Sequence, residues 1–118
     1  MFALILMIRN EEKILKRCLE AVENIVDCFC ICDTGSTDNS IEIANEFLKT
    51  HKGCLTTEPW KNFGYNRTIS FQNAQKYIKK KLKWDTSKVY GLLLDADMVF
   101  VSKNLKEQKY NLGGKQYV

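Results

Sequence analysis

Phe2-Ala3-Leu4-Ile5-Leu6-Met7-Ile8-Arg9-Asn10-Glu11-Glu12 opens the chain with an unbroken apolar run that turns abruptly polar. A continuous apolar run reads as a strand covered on both faces, whereas a strand with one wet face alternates. The run is far too short to span a bilayer. It also lacks the basic leader and small-residue cleavage site of a secretion signal. Asn10 is placed to cap a helix, and Glu11 and Glu12 suit the positive end of one. Ile14, Leu15, Cys18, Leu19 and Val22 then recur at helical spacing, which predicts a helix over residues 11–24.

Beyond this unit the chain keeps alternating between two periods. A second apolar run over 26–32 ends at Asp33, and Thr34-Gly35-Ser36-Thr37-Asp38-Asn39-Ser40 is a polar turn rich in capping residues. Ile41, Ala44, Phe47 and Leu48 mark a second helix, stopped near His51-Lys52-Gly53. A short strand over 54–57 follows, then an aromatic loop with Trp60 and Phe63 between Pro59 and Gly64. A third helix is expected over about 65–83, with Ile69, Ala74, Ile78 and Leu82 inward. A fourth strand is expected over 89–94, and 115–118 reads as the start of another. Strands alternating with helices predict right-handed βαβ units, hence a three-layer α/β/α domain with a mostly parallel, Rossmann-like sheet.

The 118 residues suffice for one domain, and 45% hydrophobic with 27% charged content places the chain among folded globular proteins. A formal net charge of +4 is too mild to argue for a nucleic-acid partner. The cysteines are Cys18, Cys28, Cys30, Cys32 and Cys54, an odd number, and three of them alternate on one strand. Neighbours on a strand make poor disulfide partners and lack zinc-site spacing, so reduced core thiols in a reducing, cytoplasmic compartment are expected. Asn66-Arg67-Thr68 fits the N-glycosylation pattern, but no export signal accompanies it and the match reads as chance. Lys79-Lys80-Lys81 and Lys83 read as a solvated helix end, and His51 as a surface residue.

Ligands of parallel sheets bind beyond the carboxyl ends of the strands. The polar residues that follow each strand are Arg9-Asn10-Glu11, Asp33-Thr34-Gly35-Ser36, Glu58 and Asp95-Ala96-Asp97. They are expected to converge on one edge. Leu92-Leu93-Leu94-Asp95-Ala96-Asp97 runs a buried strand into two acids that share a face while the strand lasts. Such a pair is either a solvated turn or a site for a hard divalent ion such as Mg²⁺ or Mn²⁺, with water and phosphate completing its shell. Asp33 suits hydrogen bonding to a base N–H or a ribose hydroxyl, or else caps the next helix. Gly35 permits a tight turn or close approach by a ligand. Arg67 opposes the dipole of a helix start, so either a diphosphate or an acid such as Glu58 should offset it. Trp60 and Phe63 either wall the site or pack the core.

The set Met7-Ile8-Arg9-Asn10-Glu11-Glu12, Asp33-Thr34-Gly35-Ser36-Thr37-Asp38, Phe63…Asn66-Arg67 and Leu94-Asp95-Ala96-Asp97 resembles the inverting glycosyltransferases of family 2 in order and spacing. The resemblance implies a GT-A fold and sugar transfer from a nucleotide diphosphate, usually with Mg²⁺ or Mn²⁺. By it, Ile8 and Glu11 would line the nucleotide pocket, and Asp33 would bind the base, commonly uracil. Arg67 would lie near the diphosphate. Asp95 would contact the ribose or a metal-bound water, and Asp97 of the DXD motif would ligate the metal. Met98 departs from the acid that often follows, and Glu107 cannot be placed as the general base. The expectation is therefore a single donor-binding unit over 1–118, cut before the acceptor half, that takes a UDP-sugar and an unknown acceptor. A sheet cut short would expose an edge, which makes self-association a further expectation. A non-catalytic nucleotide-binding module is the alternative. A nucleotidyltransferase ranks third, because the loop after the first strand is acidic and lacks glycine.

Overall fold

The structure, a computed structural model, describes residues 1–95 and 116–117. Its strands are β1 (Phe2–Ile8), β2 (Cys28–Asp33), β3 (Gly53–Thr57), β4 (Tyr90–Asp95) and β5 (Gln116–Tyr117). Its helices are α1 (Leu15–Val22), α2 (Ser40–Leu48) and α3 (Phe63–Tyr77). The strands form one sheet of order β3-β2-β1-β4-β5. β1 to β4 run parallel, and β5 returns antiparallel beside β4. The expected α/β/α architecture with a mostly parallel sheet is the one found.

The central strand explains the layering. Alternate residues of β1 face opposite ways, so Leu4, Leu6 and Ile8 join the core under α1 and α2, and Ala3 and Ile5 join the core under α3. Neither face is left to water, which is why β1 reads as a continuous apolar run. The α3 face is built from small residues. Ala3, Cys28, Cys30 and Ala74 are at most 4% exposed, and small contacts let a helix lie close on a sheet. Cys28, Cys30 and Cys32 share that side of β2 as expected, and all five cysteines are free thiols.

Three element readings needed correction. α1 starts at Leu15 instead of residue 11, and Asn10 does not cap it. Asn10 adopts a left-handed φ of 54°, and its Oδ1 accepts from Thr37 N at 2.7 Å and Asp38 N at 3.3 Å in the neighbouring loop. The N–H groups that would have begun a helix are spent across that gap instead. Asn10 N donates to Ser36 Oγ, Glu11 N to Ser40 Oγ and Glu12 N to Asp38 Oδ2. α3 starts earlier than expected because Asn62 caps it, its side chain accepting from Tyr65 N at 2.8 Å. It also ends earlier, passing into a π-helical turn (Ile78–Leu82) closed by left-handed Lys83, so the lysine run sits on that turn. Ile69 is only half-buried; the inward row is Asn66, Ser70, Ala74 and Ile78, half of it polar. Finally, His51 is more than a surface residue. Its ring stacks on Phe47 at 3.8 Å, and its Nε2 lies 3.1 Å from Glu23 Oε2, tying the end of α2 to α1.

Candidate functional site

The register brings the strand ends level. Ile8 pairs with Asp33, Asp33 with Thr57, and Met7 with Asp95. Two bonds fasten the loops just beyond: Thr34 N donates to Ile8 O at 2.9 Å, and Glu58 N donates to Asp33 O at 2.9 Å. The strand order reverses direction between β1 and β4, the switch point at which parallel sheets open a crevice at their carboxyl edge. Met7 and the backbone of Asp95 flank that point.

A cleft of about 270 Å³ opens at this edge, lined by Met7, Ile8, Arg9, Glu11, Thr34, Trp60 and Phe63. It therefore unites two residues singled out in the sequence, Ile8 and Glu11, with Thr34 from the β2 loop. Trp60 and Phe63 are 45% and 52% exposed, so they wall the cleft and do not pack the core.

Asp33 sits beside Thr34 and is only 2% exposed. Its Oδ2 accepts from Gly35 N at 3.1 Å and Ser36 N at 3.0 Å, which shapes the turn. Gly35 stands at φ 119°, a conformation that side-chain-bearing residues rarely adopt, and an added Cβ there would meet nothing within 4 Å. Turn geometry is thus its evident need. Asp33 does not cap α2; Asp38 Oδ1 accepts from Ser40 N at that helix start. Among the described residues Asp33 Oδ1 is buried without a hydrogen-bond partner, as is Ser70 Oγ on α3. A buried carboxylate oxygen left open is costly unless something donates to it.

Arg67 lies apart from this cleft. It lines a second cavity, of about 370 Å³, with Thr68, Phe71, Gln72, Gln75 and Leu93. Leu93 is two residues before Asp95, so that cavity borders β4. The ion pair with Glu58 is not made: Glu58 Oε1 accepts from Tyr65 Oη at 2.8 Å, and among the described residues Arg67 has no acid partner. Asp97, Met98 and Glu107 lie outside the described residues. No three potential metal ligands gather among the described residues. A Mg²⁺-type ion needs only one or two protein carboxylates when water and phosphate fill its other positions, so the Asp95-Ala96-Asp97 donor set fits that chemistry.

Sequence reasoning gave no role to Asn66 and read Asn10 as a helix cap, yet both build the site's framework. Asn66 is fully buried; its Oδ1 accepts from Lys61 N at 2.8 Å and Asn62 N at 3.2 Å, and its Nδ2 donates to Pro59 O at 3.1 Å. The Asn66 amide nitrogen, on which the glycosylation pattern centres, is thus buried and engaged with Pro59 O. The one sequence signal was an amide next to Arg67 at a helix start.

A mostly parallel sheet covered by helices on both faces, with a crevice at its switch point, is a three-layer α/β/α fold of the Rossmann-like type. Residues 3–112 match the model of glycosyl transferase family 2, and the chain belongs to that family. Its fold is also similar to the crystal structure of S. aureus TarS residues 1–349. The two share 16% identity with a TM-score of 0.65, covering 91% of this chain and 30% of that one. The chain thus spans about a third of the length of the structure it matches. No curated protein matches it significantly. Among the described residues, no helix is long and apolar enough to cross a membrane.

Proposed function

We propose that this chain is the donor-binding unit of a metal-dependent glycosyltransferase that moves a sugar from a nucleoside diphosphate, with UDP the expected carrier, to an acceptor hydroxyl. The observation that carries this is the level edge of strand ends, where Asp33, whose buried Oδ1 has no partner among the described residues, immediately precedes Thr34 of the cleft that holds Ile8 and Glu11. Family membership supports sugar transfer in general. In this reading Asp33 Oδ1 accepts from the base, and Ile8 and Glu11 line the nucleotide. Gly35 keeps the turn open, and Arg67 offsets diphosphate charge from the β4 side. Asp95 and Asp97 would hold Mn²⁺ or Mg²⁺, which supplies Lewis-acid stabilisation of the departing diphosphate. The five free thiols fit a reducing compartment such as the cytoplasm.

A thermal-shift titration with UDP and Mn²⁺ tests the reading. Ligand at about 100 times its dissociation constant should add about 2.7 kcal/mol to stability. For a domain of this size that is about 10 °C in Tm. Asp97→Ala should abolish the Mn²⁺ dependence. No shift with any nucleotide would refute donor binding, and an unaltered Mn²⁺ response in Asp97→Ala would refute its ligand role.

A further inference from the structure

We infer that Trp60, with Phe63, is the stacking wall for the planar base of the nucleotide, and that Asn66 is the residue that positions it; this rests on the donor-binding reading above. Three observations carry it. First, the large hydrophobic side chains exposed among the described residues are Met1, Trp60, Phe63 and Tyr65, and two of the four, Trp60 and Phe63, line the cleft. Aromatic rings left in water together at a cleft mark a binding surface.

Second, these rings are not on a loose loop. Asn66 holds Pro59, Lys61 and Asn62 from beneath through hydrogen bonds of 2.8–3.2 Å. Tyr65 donates to Glu58, and Lys61 Nζ sits 4.8 Å from the Tyr65 ring centroid. The wall is set before a ligand arrives, so little side-chain freedom is lost on binding.

Third, the cleft has the shape and chemistry for one flat ring. At about 270 Å³ it falls below the ~300–1,000 Å³ that encloses a whole drug-sized ligand. Arg9, Glu11 and Thr34 share the cleft lining with the rings, and the residue before Thr34 is Asp33, whose buried Oδ1 has no partner among the described residues. A heterocycle offers a π face to Trp60 and an N–H edge to a carboxylate. A hexose carries hydroxyls around its whole rim and would leave several unpaired against the apolar wall.

Trp60 reports on its own contact. The chain has two tryptophans, so Trp84→Phe leaves Trp60 as the sole emitter. UDP titrated into that variant should quench Trp60 emission with the midpoint that calorimetry gives, and inorganic pyrophosphate should not. Trp60→Phe in the otherwise unchanged chain should lose the quench and keep most of the affinity. Trp60→Ala should weaken UDP binding about 5- to 150-fold, the range of base–aromatic stacking. Asn66→Ala should weaken UDP binding and reduce the fractional quench at saturation, a change that lowered stability alone would not produce. Calorimetric binding of UDP with unaltered Trp60 emission, and an unaltered dissociation constant in Trp60→Ala, would overturn the stacking wall and leave the donor reading standing. Absence of UDP binding in the unmodified chain would remove both.

Discussion

Asp33→Asn and Asp33→Ala together separate the two oxygens of one buried carboxyl group. Oδ2 shapes the turn through Gly35 N and Ser36 N, and Oδ1 has no partner among the described residues. Hydrogen bonds to a charged acceptor contribute about 1.5–3 kcal/mol each, and neutral ones about 0.5–1.5. Alanine removes both turn bonds, a loss of about 3–6 kcal/mol that the removal of the unsatisfied oxygen offsets only in part. Asparagine keeps its carbonyl oxygen for the turn and weakens both bonds. It also removes a buried charge whose second oxygen is unsatisfied, which offsets part of that loss. The net cost of Asp33→Asn should stay below about 2 kcal/mol. Against a total stability of about 5–15 kcal/mol, the asparagine variant folds and the alanine variant is marginal. Urea unfolding measures both. Calorimetry with UDP then reads the other oxygen: asparagine offers an NH₂ where a base N–H seeks an acceptor, and affinity should fall at least about tenfold, or 1.4 kcal/mol. Unchanged UDP affinity in Asp33→Asn would refute the ligand role of Oδ1. Wild-type stability in Asp33→Ala would refute the account of the turn.

Gly53→Ala should abolish soluble expression, because a Cβ there runs into the Phe29 carbonyl oxygen and approaches Leu48 Cδ2 to 2.7 Å; a cooperative melt near the wild-type Tm would contradict the close pairing of β2 and β3. Desolvation pushes the Asp38 carboxyl up, but hydrogen bonds from the Ser40 side chain and from the Ser40 and Glu12 N–H groups outweigh it and hold it below the ordinary carboxylate value. The loop contact it makes should therefore be intact above the unfolded value near pH 4 and be lost as pH falls through the lower folded value; Glu12 N–H shifts followed by NMR should show this step, and Asp38→Asn should erase it. Hydrogen bonds to Cys28 and Cys54, then burial, push the Cys30 thiol far up, while the bond from Cys30 pulls half-buried Cys54 down. Iodoacetamide should thus alkylate Cys54 before Cys28 or Cys30 in the native protein, and mass spectrometry showing Cys30 modified first would overturn that order.

The apolar run of β1 and the alternation of periods were enough to read the strand–helix order, the parallel sheet and the edge where polar residues gather. Periodicity reports burial on each face of an element, and that property belongs to the local sequence. Family membership followed the ordered motifs at Asn10, Asp33, Arg67 and Asp95 in the same way. Only the tertiary structure decided how that edge is built. Asn10 looked like a helix cap, yet the neighbouring loop offered it three donors, two backbone and one hydroxyl, and won it from α1. Asn66 had no apolar signal to betray it, because an amide becomes buried only where another segment supplies its partners, here Pro59, Lys61 and Asn62. Arg67 and Ile8 came to line different cavities: Phe63 at the start of α3 shares the cleft with Ile8, while Arg67, about one turn further along, lines the cavity that Leu93 of β4 borders. A carboxyl oxygen can be open or filled with the same sequence around it; which one Asp33 holds is set by the partners that folding brings within reach, and local sequence carries no record of them.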